Sequence, residues 1–127
     1  FMNTHGLNPY KPNIITGTLT NLVEDFVRKW NGVVIHGLDP VRGTEEAVIE
    51  IPYGYETLDE IIRDLEYIKS VINNLGGSIS IVVLKDLVYP KPASDRREAY
   101  HGTPGRRRAW KLLRRIKRSG GNQILVL

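Results

Sequence analysis

The sequence predicts an α+β fold: an α/β-like two-layer sandwich in which about three helices lie on a mixed four-stranded sheet. Three observations predict it. Helix-like and strand-like stretches alternate in the order α-β-β-α-β-α-β, the pattern of a sheet covered by helices. The 127 residues suit one domain that buries its own core. A 41 % hydrophobic and 25 % charged composition is that of an ordinary soluble globular chain.

Taken in order, residues 1–17 (FMNTHGLNPYKPNIITG) carry Asn, Gly and Pro without periodicity and read as a flexible N-terminal arm. Residues 18–127 form the single domain. Leu19, Leu22, Val23, Phe26, Val27 and Trp30 keep a helical stripe that stops at Asn31-Gly32. Glu24 with Arg28 and Asp25 with Lys29 are spaced for ion pairs on its outer side. Val33 to His36 and Glu45 to Pro52 read as a hairpin around the turn-rich 37–44. In that hairpin Glu50 falls on the solvent side, beside His36 across the pair. Thr57-Leu-Asp-Glu60 has the spacing of a capping box for a second helix. Its apolar stripe runs from Leu58 to Leu75 and is closed by Gly76-Gly77.

Ser78 to Leu84 is a β-branched strand whose Ile79, Ile81 and Val83 side faces the core. Residues 85–105 hold three of the seven prolines and read as a long surface loop with room for a helical turn around Ser94 to Tyr100. After the last helix, Gln123 to Leu127 is the fourth strand. The expected sheet order is second, first, third, fourth, with the first strand antiparallel to its neighbours and right-handed crossovers elsewhere. This resembles split β-α-β sandwiches, a likeness of topology that carries no function.

The functional signal lies in Arg106 to Arg118, RRRAWKLLRRIKR, where eight of thirteen residues are Lys or Arg and none is acidic. Residues 1–100 hold ten basic against fourteen acidic residues, while residues 101–127 hold eight basic and no acidic ones. Such asymmetry points to a polyanionic partner. Ala109, Leu112, Leu113 and Ile116 share one face of a helix, with Thr103-Pro104 as its start and Gly120-Gly121 as its stop. The cations gather opposite, and such a face meets either water or anions. The candidate contacts are Arg106, Arg107, Arg108, Lys111, Arg114, Arg115, Lys117 and Arg118 to phosphates, with Trp110 on the border for stacking and His101 in the preceding loop. Backbone amides at the helix start offer a further place for a phosphate. The bland alternative is that these cations pair with Asp59, Glu60, Asp64 and Glu66 of the second helix.

Other chemistry is thin. Without cysteine there are no disulfides, thiolate metal sites or thiol nucleophiles. His101-Gly-Thr-Pro-Gly105 would need a G-x-S-x-G nucleophile to serve as an oxyanion site, and the chain has none. Asp39 and Glu50 invite a metal-nuclease reading, but Ile51-Pro52 follows where a lysine would be wanted. Asp86, Asp95 and Glu98 have no spacing that fixes a site. Neither a catalytic set, a metal site nor a cofactor is expected.

The expectation is a nucleic-acid-binding protein, for DNA or RNA, with weak sequence preference because phosphates dominate the contacts. An interaction or structural protein is the alternative. Its Arg helix would dock onto an acidic protein patch, and a homodimer through a sheet face carrying Val34, Val48, Val82, His36, Glu50 and Ser80, or through the last strand's edge, is compatible with either reading. A metal-dependent nuclease is a third reading. No leader or membrane-spanning run is seen, so an intracellular location is expected. One Met, one Gln and no Cys suit a thermophile, against which stand eight Asn.

Overall fold

The structure, a computed structural model, describes residues 10–38, 46–52, 54–86, 88 and 91–127, with the side chains of residues 10–13 and 55 excepted. It is an α+β fold. Its elements are α1 (Tyr10–Lys29), β1 (Val33–His36), β2 (Val48–Glu50), a 3-10 turn (Tyr55–Thr57), α2 (Leu58–Asn74), β3 (Ile81–Val83), α3 (Arg96–His101), α4 (Pro104–Arg118) and β4 (Ile124–Val126).

α1 begins well inside the stretch expected to be an arm. Residues 10–17 are helical, and residues 1–9 lie outside the described part. Pro12 is tolerated because it falls in the first turn, where a missing N–H breaks no helical bond. Ile15, 6 % exposed, shows why the helix extends this far: it packs into the main core. Thr16 and Thr20 are buried beside it, and the Thr20 hydroxyl donates to the Thr16 carbonyl at 2.9 Å. The helix stops as the sequence predicts. Asn31 takes a left-handed conformation (φ 52°) and the Gly32 amide donates to the Val27 carbonyl at 2.9 Å.

α1 and α2 face each other across a core of Ile15, Phe26, Ile61, Ile68 and Ile72, with Leu19, Leu22, Val27, Trp30, Ile51, Leu65 and Ile79 packed around it. Two local expectations fail here. The Thr57 hydroxyl makes no capping bond; it donates back to the Gly54 carbonyl at 3.4 Å, because the 3-10 turn runs straight into α2. Lys29 pairs with Asp64 of α2 at 2.8 Å and not with Asp25, which with Glu24 engages Arg28. Trp30 Nε1 also donates to Asp64, at 2.9 Å, so one carboxylate ties the end of α1 to α2.

Among the described residues the four strands form two pairs and are not joined into one sheet. β1 and β2 are antiparallel, and β3 and β4 are parallel. Within each pair the expected direction is found. The missing join is between β1 and β3: the Ile35 carbonyl of β1 accepts from the Ala93 amide, at 2.9 Å, so Ala93 takes a position on β1 that a third strand would need. That excursion also contains α3, a fourth helix, capped by the Asp95 side chain accepting from the Glu98 amide at 2.8 Å. Ala99, Tyr100, Ile116 and Ile35 are buried beyond the main core. Around them α3 packs on α4 and β1, and α4 on β3.

Candidate nucleic-acid interface

α4 is built as its sequence demands. Thr103 is extended and its hydroxyl accepts from the Arg106 amide at 3.1 Å, with Pro104 in the first helical position. At the far end Gly120 and Gly121 have φ of 111° and 67°, and the Gly121 amide donates to the Ile116 carbonyl at 2.9 Å. Ile116 is buried and Ala109, Leu112 and Leu113 are half-buried. Their side faces inward, so the cationic side faces out.

Six candidate cations stand on that outer side. Arg107, Arg108, Lys111, Arg114, Arg115 and Arg118 are all exposed. Among the described residues none of them is in an ion pair with a carboxylate. The second helix does not neutralise them: Asp64 is engaged by Lys29 and Trp30, and α2 packs against α1.

Two candidate cations are corrected. Arg106 is buried and salt-bridged to Glu50, with side-chain exposures of 3 % and 8 %. Its Nε and Nη2 donate to the two Glu50 oxygens at 3.2 Å each, while Nη1 and Nη2 reach the carbonyls of Glu98 and Lys91 at 3.3 Å. Glu50 is therefore not on a solvent face. It lies opposite Val33, and His36 lies opposite Val48, because the ladder is irregular between Val34 and His36. Lys117 is exposed but pairs with Glu46 at 3.2 Å.

Trp110 is half-buried at the border, as its position on the helix implies. The Arg114 guanidinium lies 5.0 Å from its centroid and the His101 ring 4.7 Å, edge-on, with Tyr100 at 6.5 Å. These contacts make the half-buried ring a brace between α3 and α4. His101 is exposed at the end of α3. With Gly102, Thr103, Pro104, Arg107, Arg108 and Lys111 it lines an open groove of about 590 Å³ along the N-terminal half of the cationic face.

The helix start itself is poorly suited to an anion. Pro104 has no N–H, and Thr103 already caps Arg106. Asp86 Oδ2 lies 3.1 Å from where a Cβ on Gly105 would stand, so a carboxylate already occupies that end. A phosphate would meet the flank of α4, where the arginines are.

Of the two residues of the nuclease reading, only Glu50 is described. Both Glu50 oxygens accept from Arg106, and Asp39 lies outside the described residues. Asp95 caps α3 and Glu98 accepts from Ser94. Among the described residues no cluster of three His, Asp or Glu is placed to hold a metal ion. On the mixed sheet face that suggested a dimer, Val34, Val48 and Val82 are half-buried, and the three polar residues have partners within the chain. Glu50 is met by Arg106, His36 by the Tyr100 ring at 6.4 Å, and Ser80 by the Asn122 amide at 3.0 Å.

One structural residue escaped sequence reasoning. Glu46 accepts from the Tyr100 hydroxyl at 2.5 Å and pairs with Lys117 of α4 and Arg96 of α3. Burial pushes its carboxyl up, but the Tyr100 hydrogen bond and the charges of Lys117 and Arg96 outweigh that and leave it below its ordinary value. Burial, then the same hydrogen bond and the charge of Glu46, push the Tyr100 phenol up. No signal in the sequence marks Glu46, since it sits just past a turn-rich stretch. Among the described residues no helix is long and apolar enough to cross a membrane. The chain matches no known family model, and neither a curated protein nor a solved structure is significantly similar to it.

Proposed function

We propose that this protein binds nucleic acid through the outer face of α4, by contacts mainly to phosphates. One observation carries the reading: six exposed cations on one side of a helix, none paired with a carboxylate among the described residues. Like charges at this density repel one another, and a chain that needed only a solvated helix face would intersperse acids. Five of the six are arginine, whose planar fork matches phosphate oxygens. The groove beside Arg107, Arg108 and Lys111, with His101 at its rim, extends the same surface toward α3.

A mobility-shift titration at two salt concentrations tests this. Binding that weakens steeply as salt rises supports it, since counterions released from phosphates are recaptured at cost. The triple change Arg107→Glu, Lys111→Glu and Arg114→Glu abolishes the shift while the circular dichroism spectrum stays unchanged. A shift indifferent to salt, or none at all, refutes the reading.

A further inference from the structure

We infer that the ligand of this face is duplex DNA, with α4 laid in the major groove and a row of arginines against each phosphate strand. The inference rests on the nucleic-acid reading and names the form that fits its geometry. At 3.6 residues per turn the six cations span an arc of about 120°, centred opposite Ala109 and Leu113. Arg107 and Arg114 make one rim of that arc, Arg108 and Arg115 the other, and Lys111 and Arg118 run down the middle. A helix lying on a single backbone would use one row. Two rows with a cationic ridge between them suit a channel with two anionic walls.

The dimensions agree. α4 has 15 residues and so extends about 22 Å, with a diameter near 10–12 Å including side chains. The major groove of B-DNA is about 12 Å wide and admits a helix, whereas its minor groove, about 6 Å wide, does not. A-form RNA has a major groove too deep and narrow to enter. Single strands are gripped by exposed aromatic rings on which bases stack. Here Trp110 is half-buried against His101, Tyr100 and Arg114, and among the described residues His101 is the single exposed ring beside the cations, at the start of the helix, so no succession of stacking rings follows the cationic face. Tyr67 is exposed, but on α2. The middle of the arc carries Lys111 and Arg118, which face the groove floor and would donate to guanine O6 and N7 where a guanine stands there, a small sequence-dependent addition to the phosphate contacts.

Fluorescence anisotropy of the intact protein with a 20-base-pair DNA duplex, the same sequence single-stranded, and the matching RNA duplex tests this. The DNA duplex is expected to bind at least about tenfold tighter than either competitor. Its log–log salt slope is expected at about −4, as four rim arginines on phosphates imply. The rim variants Arg107→Glu/Arg114→Glu and Arg108→Glu/Arg115→Glu, each confirmed folded by circular dichroism, should weaken duplex binding by similar factors. A duplex whose minor groove is filled by a small minor-groove binder should bind as well as the bare one. Equal or tighter binding of the single strand or the RNA duplex overturns the inference, as does dependence on one rim only or displacement by the minor-groove binder. In each of these cases nucleic-acid binding itself survives. Failure of all three nucleic acids to bind overturns both.

Discussion

Arg106 and Glu50 form a buried, two-pronged ion pair that pins the first turn of α4 to β2, 56 residues earlier in the chain. Arg106 thus belongs to the architecture of the basic helix and not to its surface. Its guanidinium also reaches carbonyls of Glu98 and Lys91, so one side chain joins β2, the excursion, α3 and α4. Breaking such a pair leaves a charge without a partner in a site that excludes water. Arg106→Ala or Glu50→Ala is expected to cost about 3–5 kcal/mol in urea unfolding. Replacing both by apolar residues of similar size, Arg106→Met with Glu50→Leu, should cost far less, because no orphan charge remains. That double variant should also keep its nucleic-acid affinity, which separates Arg106 from its six exposed neighbours.

How legible this was depends on where the information sits. The start, stop and two-sidedness of α4 are local properties of Thr103-Pro104, Gly120-Gly121 and a 3.6-residue period, and all are found. The burial of Glu50 is not local. It depends on the irregularity between Val34 and His36, which resets the hairpin register and so decides which β2 side chain meets α4. A period-two reading of VIEIP cannot see a bulge in the opposite strand. The join between sheets failed for a similar reason, since Ala93 of a proline-rich segment without pattern bonds to β1 at Ile35.

The N-terminal half of α1 was illegible because Pro12 and Gly17 look like helix breakers. Pro12 sits where it does no harm. Gly17 lies in mid-helix, and a Cβ built on it has no atom within 4 Å. Nothing in the packing requires glycine there, and its backbone freedom is lost on folding. Gly17→Ala is therefore expected to stabilise the protein by about 0.5–1 kcal/mol. Urea unfolding checks it, and binding should be unchanged.

The Glu46–Tyr100 contact predicts opposite behaviour at the two ends of the pH scale. The Glu46 carboxyl is lowered from its ordinary 4.5, so its contribution is present above that pH and is lost as pH falls through the lowered value. With the side chain 36 % exposed, solvent screening keeps that contribution to no more than about 1 kcal/mol. The Tyr100 phenol is raised above its ordinary 10.0, so its contribution holds up to that pH and is lost as pH rises beyond it. Urea midpoints measured across pH should show both limbs in the native protein. Glu46→Gln should flatten the acid limb, and Tyr100→Phe should flatten the alkaline one.

Lys117 and Arg115 are two residues apart on α4, yet the structure gives them different work. Lys117 Nζ is held 3.2 Å from Glu46, whose charge offsets its own. Arg115 is exposed with no carboxylate partner among the described residues. A cation already matched within the fold has little attraction to spare for a phosphate, because a ligand must compete with the carboxylate beside it. Lys117→Ala should therefore leave nucleic-acid affinity and its salt slope nearly unchanged. As an exposed pair it should cost less than about 1 kcal/mol of stability. Arg115→Ala should leave stability alone, weaken binding uniformly across sequences and make the log–log salt slope shallower by about one. Anisotropy titrations of the two variants over a range of salt concentrations read the difference directly. If Lys117→Ala shifted the slope as much as Arg115→Ala, internal pairing would not be what sorts the cations of this helix.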